Sequence, residues 1–221
     1  MTRINHTDPH NLQLPPWNLQ GEGFILNYWL TPQFLKKFRH FGLSYSSTGR
    51  FVQVILVRYQ DTPIQPYDEL LILDHPLMTQ RILSTIPKIY VSTTESVIHG
   101  RKLWGIPKEL ARFEWRRQQN QLFCHIASSE HEMSLHIGFS PYFKSVPVNS
   151  KYLPKQLMQI DQFDGQRHYR FRPEFKGSLN VIYQAHWKNT GCLFPDFSQA
   201  IFLKGLYVPA FDLIFPKAQI T

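Results

Sequence analysis

One lysine, Lys108, directly follows a proline in the segment GRKLWGIPKEL, residues 100–110. Pro107 fixes its own φ angle and biases Ile106 toward extended backbone, so few backbone conformations lead into Lys108. Apolar surroundings disfavour a charged amine, so burial among such neighbours would lower the pKa of this lysine. A neutral lysine amine attacks a ketone or aldehyde and forms a Schiff base. The segment therefore predicts Lys108 as a nucleophile, against the ordinary alternative of a solvated surface lysine.

The same segment resembles the signature of the acetoacetate decarboxylase family, Gly-Arg-Glu-x-x-Gly-[aromatic]-Pro-Lys-Lys-Leu. In that family the first lysine after the proline forms the Schiff base, which implies this role for Lys108. Upstream, PYDELL at 66–71 is similar to the family's Tyr-x-Glu element, which implies that Glu69 supplies an active-site carboxylate beside Tyr67. The alternative for Glu69 is a solvated carboxylate at the end of a strand. Two further stretches, 16–24 and 207–218, resemble the family's first and closing strands.

The departures from the family pattern concern the substrate. Glu109 stands where the decarboxylases have a second lysine, and a carboxylate directed at Lys108 would raise the pKa of that lysine. No arginine occurs in 19–24, where the family holds the substrate carboxylate, and a further family glutamate falls near Gln53 and Val54. Aldol, dehydration or hydrolysis chemistry is therefore expected beside decarboxylation.

Arg101 and Trp104 are predicted to support the site, each with a plain structural alternative. Arg101 contacts the substrate or ties down the loop through backbone carbonyls. Trp104 forms a wall of the pocket or packs in the core.

The alternation of apolar and polar residues predicts a mainly β chain, an antiparallel sheet curled toward a barrel or cone, with a few short helices. Thr31 and Pro32 are typical of a helix start, whereas 95–103 reads as a short helix or an irregular turn. We expect an N-terminal arm at 1–15 and one domain at 16–221. The family resemblance implies a cone of strands around an apolar cavity, in a homo-oligomer. The predicted strands cover 24–30, 51–59, 67–73, 111–116, 122–126, 133–137, 169–172 and 179–183.

The composition is that of a folded protein, with 43% hydrophobic and 18% charged residues in 221. The formal net charge is +8, but the basic residues are scattered, so no nucleic-acid partner is predicted. No segment has the pattern of a signal peptide or membrane helix, and the two cysteines have no metal-ligand spacing. We expect a cytoplasmic protein without metal or cofactor.

Two functions from different classes remain open. In the first, Lys108 forms a Schiff base with a small keto acid or β-dicarbonyl, and Glu69 moves protons. In the second, the cavity binds an apolar small molecule without catalysis, and Lys108 merely pairs with Glu109 or Glu69.

Overall fold

Strands make up most of the chain in a computed structural model, which describes residues 12–75, 83–139, 145–189 and 191–221. The two α-helices of the described part are α1 (Pro32–Lys37) and α2 (Thr94–Trp104). Short 3₁₀ turns lie at Arg39–Phe41, Ser150–Tyr152, Lys155–Met158 and Phe197–Gln199. The strands are β1 (Trp17–Leu30), β2 (Arg50–Asp61), β3 (Tyr67–His75), β4 (Thr85–Val91), β5 (Lys108–Leu110), β6 (Arg112–Gln118), β7 (Gln121–Ala127), β8 (Glu132–Phe139), β9 (Val146–Asn149), β10 (Ile160–Phe163), β11 (His168–Phe171), β12 (Glu174–Asn189), β13 (Ile201–Phe215) and β14 (Gln219–Ile220).

One large sheet organises the fold, in the order β5-β4-β3-β2-β1-β13-β12-β8-β7-β6, with β9 paired to β12. Neighbouring strands within this sheet are antiparallel, except β4 and β5, which are parallel. A smaller sheet contains β10, β11 and β14. The prediction of a mainly β, cone-like antiparallel sheet is confirmed. Closure into a barrel is not seen, because β5 and β6 are the two ends of the strand order in the described residues.

Side-chain alternation divides the interior into two cores, one on each face of the β1–β3 region. Phe24, Val54 and Leu70 belong to one face, which we call the packed face. Val57 and Tyr67 belong to the other, which we call the cavity face. Strand β2 contributes to both faces because its residues 54–57 are all apolar, so alternate side chains enter each core.

Both helices begin as their sequences indicate. Thr31 caps α1 by accepting a hydrogen bond from the N–H of Phe34, and Pro32 lies in the first turn. Thr93 caps α2 in the same way, through the N–H of Ser96. The segment left open between helix and turn is therefore a helix. It ends at Gly105, whose φ of 62° favours glycine and whose added Cβ would lie 2.4 Å from the ring of Tyr169.

The described end of the predicted arm, residues 12–15, contacts helix α2. The N–H of Gln13 donates to Nε2 of His99, and the carbonyl of Gln13 accepts a hydrogen bond from Nε1 of Trp17. The rest of the arm, residues 1–11, lies outside the described residues. No helix in the described ranges is long and apolar enough to cross a membrane.

Candidate active site

Lys108 lies directly after the turn that links α2 to the edge strand of the large sheet. The helix ends at Gly105, and Lys108 is the first residue of β5, paired in parallel with Ile89 of β4. Nε of Arg101 donates to the carbonyl oxygen of Lys108 at 2.8 Å, and Arg101 does not line the cavity. Arg101 therefore ties the loop to the helix, the structural alternative considered for it.

The side chain of Lys108 crosses α2 at Gly100. A Cβ added to Gly100 would lie 2.5 Å from Cδ and 2.8 Å from Cε of Lys108. Because real carbon contacts are longer, any larger residue at Gly100 must displace the lysine side chain. The glycine therefore gives the amine its path into the interior.

The amine of Lys108 ends in a buried cluster of polar groups. Nζ donates to Oε2 of Glu69 at 2.8 Å and to Oγ of Ser96 at 3.0 Å. The hydroxyl of Tyr59 donates to the other carboxylate oxygen, Oε1 of Glu69, at 3.2 Å. The ring centroid of Tyr67 lies 5.0 Å from Nζ, which is a cation–π distance. The side chains of Lys108 and Glu69 are only 7% and 5% exposed, so the pair is removed from water.

Burial alone would lower the pKa of Lys108, but the charge of Glu69 and the hydroxyl of Tyr67 outweigh it. The pKa of Lys108 consequently lies above its ordinary value. This reverses the expectation that apolar surroundings would lower it, because that expectation did not include a carboxylate in hydrogen-bond contact. At neutral pH the resting site holds an ammonium–carboxylate pair.

The two tyrosines of the cluster stay protonated and serve as neutral groups. Burial raises the pKa of Tyr67 to about 12, partly offset by the charge of Lys108. Burial and the charge of Glu69 raise the pKa of Tyr59 well above its ordinary value. The negative charge of the cluster therefore resides on Glu69.

A cavity of about 330 Å³ lies next to this cluster on the cavity face. Lys108, Glu69 and Tyr67 line it, and so does Trp104, whose Nε1 also donates to the carbonyl oxygen of Pro216 at 2.7 Å. Both alternatives for Trp104 thus hold, since the residue is a cavity wall fixed by a structural hydrogen bond. The remaining lining is mostly aliphatic and aromatic.

Glu109 is the one predicted site residue that faces away from Lys108. Successive side chains of a strand project to opposite sides, so β5 directs Lys108 into the interior and Glu109 outward. The Glu109 carboxylate accepts a hydrogen bond from Nζ of Lys88 at 2.6 Å and is 44% exposed. It therefore pairs with Lys88 in place of Lys108, and does not supply the carboxylate that raises the pKa of Lys108.

Three groups of the site were not singled out from the sequence. Ser96 contacts the amine of Lys108 from the first turn of α2. Tyr59 contacts Glu69 because it lies on the strand next to Glu69, two residues from Val57, which pairs with Glu69. Gly100 lies one turn after Ser96. The signal available was the helix cap at Thr93, which fixes the phase of α2 and places Ser96 and Gly100 on one side of it.

The family model named acetoacetate decarboxylase matches residues 4–138, which is more than half of the chain and includes both Lys108 and Glu69. The chain belongs to the acetoacetate decarboxylase family. A search of curated proteins gave no significant match.

Solved structures share the fold of this family member over nearly its whole length. An acetoacetate decarboxylase from Legionella pneumophila is 13% identical, with a TM-score of 0.71 over 99% of this chain and 93% of that one. The enduracididine biosynthesis enzyme MppR, complexed with pyruvate, is 13% identical, with a TM-score of 0.62 over 95% and 91%. An acetoacetate decarboxylase-like enzyme from Sphingomonas wittichii RW1 is 11% identical, with a TM-score of 0.66 over 100% and 99%. At these identities the likeness establishes the fold and leaves the reaction open.

Proposed function

We propose that the chain is a Schiff-base-forming enzyme in which Lys108 attacks the carbonyl carbon of a small keto acid or β-dicarbonyl. The observation that supports this most directly is the position of Nζ. It lies at the wall of an apolar cavity, fixed by hydrogen bonds to Glu69 and Ser96. A surface lysine would not have its amine held in place beside enclosed space.

The raised pKa of Lys108 requires that the proton be moved before attack, and Glu69 is placed to take it. Oε2 of Glu69 accepts the proton across 2.8 Å, which leaves a neutral amine and a carboxylic acid. The amine lone pair forms the N–C bond, while the electrons of the carbonyl π bond pass to oxygen. The alkoxide takes one proton from the amine nitrogen to give the neutral carbinolamine. The carbinolamine hydroxyl then takes the proton held by Glu69 and leaves as water, while the nitrogen lone pair forms the C=N bond of the iminium ion and Glu69 returns to the carboxylate.

The iminium ion attracts the electrons released when an adjacent carbon–carbon or carbon–hydrogen bond breaks. Decarboxylation, retro-aldol cleavage and dehydration all use that property, so we propose a lyase-type reaction without choosing among them. The relative MppR has been solved with pyruvate and with the condensation product of pyruvate and imidazole 4-carboxaldehyde. These complexes support carbonyl chemistry within this fold.

A second candidate function is a non-catalytic binding protein for an apolar small molecule. The ion pair favours it, because an amine held protonated by Glu69 is not a nucleophile at rest. The cavity would serve either function.

Reductive trapping separates the two candidates. The protein is incubated with acetoacetate, acetylacetone, pyruvate or acetopyruvate and treated with borohydride. The mass of the intact protein is then measured by mass spectrometry, in parallel with the Lys108→Met variant. A mass increase in the wild type that is absent from Lys108→Met supports the Schiff-base enzyme. No adduct with any of these compounds from pH 6 to pH 9 would contradict it and favour the binding protein.

We further propose that residues 16–221 act as one domain, in a cytoplasmic homo-oligomer, as the family resemblance implies. Light scattering on the purified protein tests the assembly, and a monomer at micromolar concentration would contradict it.

A further inference from the structure

The side chains that line the cavity beside Lys108 carry no net positive charge that could bind an anion. Among the described residues that line it, Lys108 and Glu69 are the charged ones, and each neutralises the other. A substrate carboxylate would therefore have to compete with Glu69 for the amine. Otherwise it would lie unpaired in an apolar space, where burial of a charge is strongly unfavourable.

The body of the cavity is apolar and longer than a three- or four-carbon acid requires. Its volume of about 330 Å³ falls within the range of roughly 300–1,000 Å³ typical of pockets for drug-sized ligands. Aliphatic side chains from three neighbouring strands form its middle, since Ile25 pairs with Ile55 and Ile55 with Leu71. This middle provides contact area for a hydrocarbon chain or ring.

On β2, Gln53 is the cavity-lining residue farthest from Glu69, the group that binds the amine of Lys108. Val57 of β2 pairs with Glu69, and Gln53 lies four residues further along the same face, about 13 Å away at about 3.3 Å per residue. The two ends of the cavity therefore both carry polar groups, with an apolar stretch between them.

A chain of hydrogen bonds fixes the carboxamide of Gln53. Its Nε2 donates to Oδ1 of Asn27 at 2.9 Å, so Oε1 is the acceptor of the 2.9 Å contact with Nε2 of His75. Nδ1 of His75 then accepts from the hydroxyl of Ser84 at 2.7 Å. Burial lowers the pKa of His75 to about 4, so the ring is neutral and has the single N–H that this chain needs. Gln53 is a preorganised, uncharged hydrogen-bonding group with a second N–H to offer.

We propose that the preferred substrate of this site is an uncharged carbonyl compound with an elongated apolar body and a distal hydrogen-bond acceptor, rather than the anion of a small keto acid. Lys108 takes the carbonyl end, the aliphatic middle takes the body, and Gln53 takes the distal acceptor. This inference rests on the proposed function for the covalent step and narrows its two substrate classes to the uncharged one.

Matched esters and acids test the inference in the wild-type protein. Ethyl acetoacetate is compared with acetoacetate, and methyl 3-oxooctanoate with 3-oxooctanoate, by the amount of borohydride-trapped adduct at equal concentration. Butylamine under the same conditions corrects for the intrinsic reactivity of each carbonyl. We expect at least tenfold more adduct from each ester than from its acid, and more from the longer ester than from the shorter. Equal or greater trapping of the acids would overturn the inference and leave the Schiff-base function standing.

Thermal stabilisation of the protein without borohydride separates failure of the inference from failure of the proposed function. The esters are expected to raise the Tm of both wild type and Lys108→Met, and the acids to raise neither. If no compound is trapped but the esters still raise Tm, the covalent function fails and the ligand class stands. If neither trapping nor stabilisation occurs with the esters, both fail.

A charge placed inside the cavity should invert the preference. Ile25→Arg adds a cation to the middle of the lining, and Ile25→Met is the control that is unbranched and uncharged. We expect the acid-to-ester trapping ratio to rise at least tenfold in Ile25→Arg and to stay near the wild-type value in Ile25→Met. Circular dichroism establishes that both variants fold. An unchanged ratio in a folded Ile25→Arg would contradict the role assigned to cavity charge.

Discussion

Each face of the large sheet buries a glutamate that binds cations, and the two sites differ in what surrounds them. On the packed face, Glu22 accepts hydrogen bonds from Arg58, Arg117 and Tyr207. Those arginines are 43% and 45% exposed, and Glu22 does not line the cavity. On the cavity face, Glu69 binds Lys108, both are nearly inaccessible to water, and both line the cavity.

The difference shows that a buried ion pair becomes a candidate for chemistry only where it borders space for a reactant. Around Glu22, the guanidinium groups keep their charge at any ordinary pH and tie β6 to β1 and β2. Around Glu69, the partner is an amine, which becomes a nucleophile once it gives up a proton. The same carboxylate type thus stabilises the fold on one face and is placed to move a proton on the other.

The largest expected effect is the loss of all carbonyl chemistry in Lys108→Met. The variant keeps an unbranched side chain but removes the amine, so exchange of ¹⁸O from a labelled ketone into water should fall to the rate without protein. Lys88→Met is the control, because Lys88 pairs with Glu109 outside the cavity. Exchange that persists in Lys108→Met would place the nucleophile elsewhere.

Glu69→Gln should slow the same exchange by about 10²–10⁴-fold at pH 7, the usual contribution of a general acid–base group. It should also change the pH profile. In the wild type the pKa of Lys108 lies above its ordinary value, so its protonation changes little between pH 6 and 9 and the exchange rate should stay nearly constant. Without the carboxylate, burial lowers the pKa of Lys108, and the rate should rise with pH through that lowered pKa.

Glu22→Gln on the packed face is the matched control for this profile. It removes the same charge from a buried glutamate, and we expect the ¹⁸O exchange rate and its flat pH dependence to match those of the wild type. A similar loss of rate in both variants would mean that Glu69 acts only through stability.

Gly100→Ala should reduce exchange at least tenfold and also lower stability, because Glu69 loses its buried partner. The added methyl group displaces the side chain of Lys108 from its path to Glu69, whereas alanine in a helix interior is favoured over glycine by roughly 0.5–1 kcal/mol. Thermal melting and exchange are measured together, with the exposed Lys102→Ala of the same helix as control. Wild-type exchange in Gly100→Ala would show that the lysine reaches Glu69 by another path.

The smallest effect is expected from the tyrosines that bind the two glutamates. Tyr59→Phe removes one hydrogen bond to Glu69, worth about 1 kcal/mol, so exchange should slow by about fivefold. Tyr207→Phe removes the equivalent hydrogen bond to Glu22 and should lower stability by about 1 kcal/mol with no change in exchange. If both variants changed exchange equally, the distinction between the two faces would not hold.

Local signals carried most of what could be predicted from the sequence. Thr31 marks a real helix start, the alternating segments are strands, and Lys108 lies in the interior as its motif implies. The direction of the pKa shift of Lys108 could not be predicted, because it depends on Glu69, which is 39 residues away in sequence. The orientation of Glu109 depends on β5, a strand of three residues whose pairing with β4 is not local.

We expect the amine of Lys108, and no other amine of the protein, to form the Schiff base. Peptide mapping of the borohydride-trapped wild-type protein tests it most directly, with methyl 3-oxooctanoate and acetylacetone as the carbonyl compounds. We expect one modified peptide, with the added mass on Lys108 and none on Lys88. An adduct spread over several lysines, or one confined to a residue outside the cavity, would contradict the account.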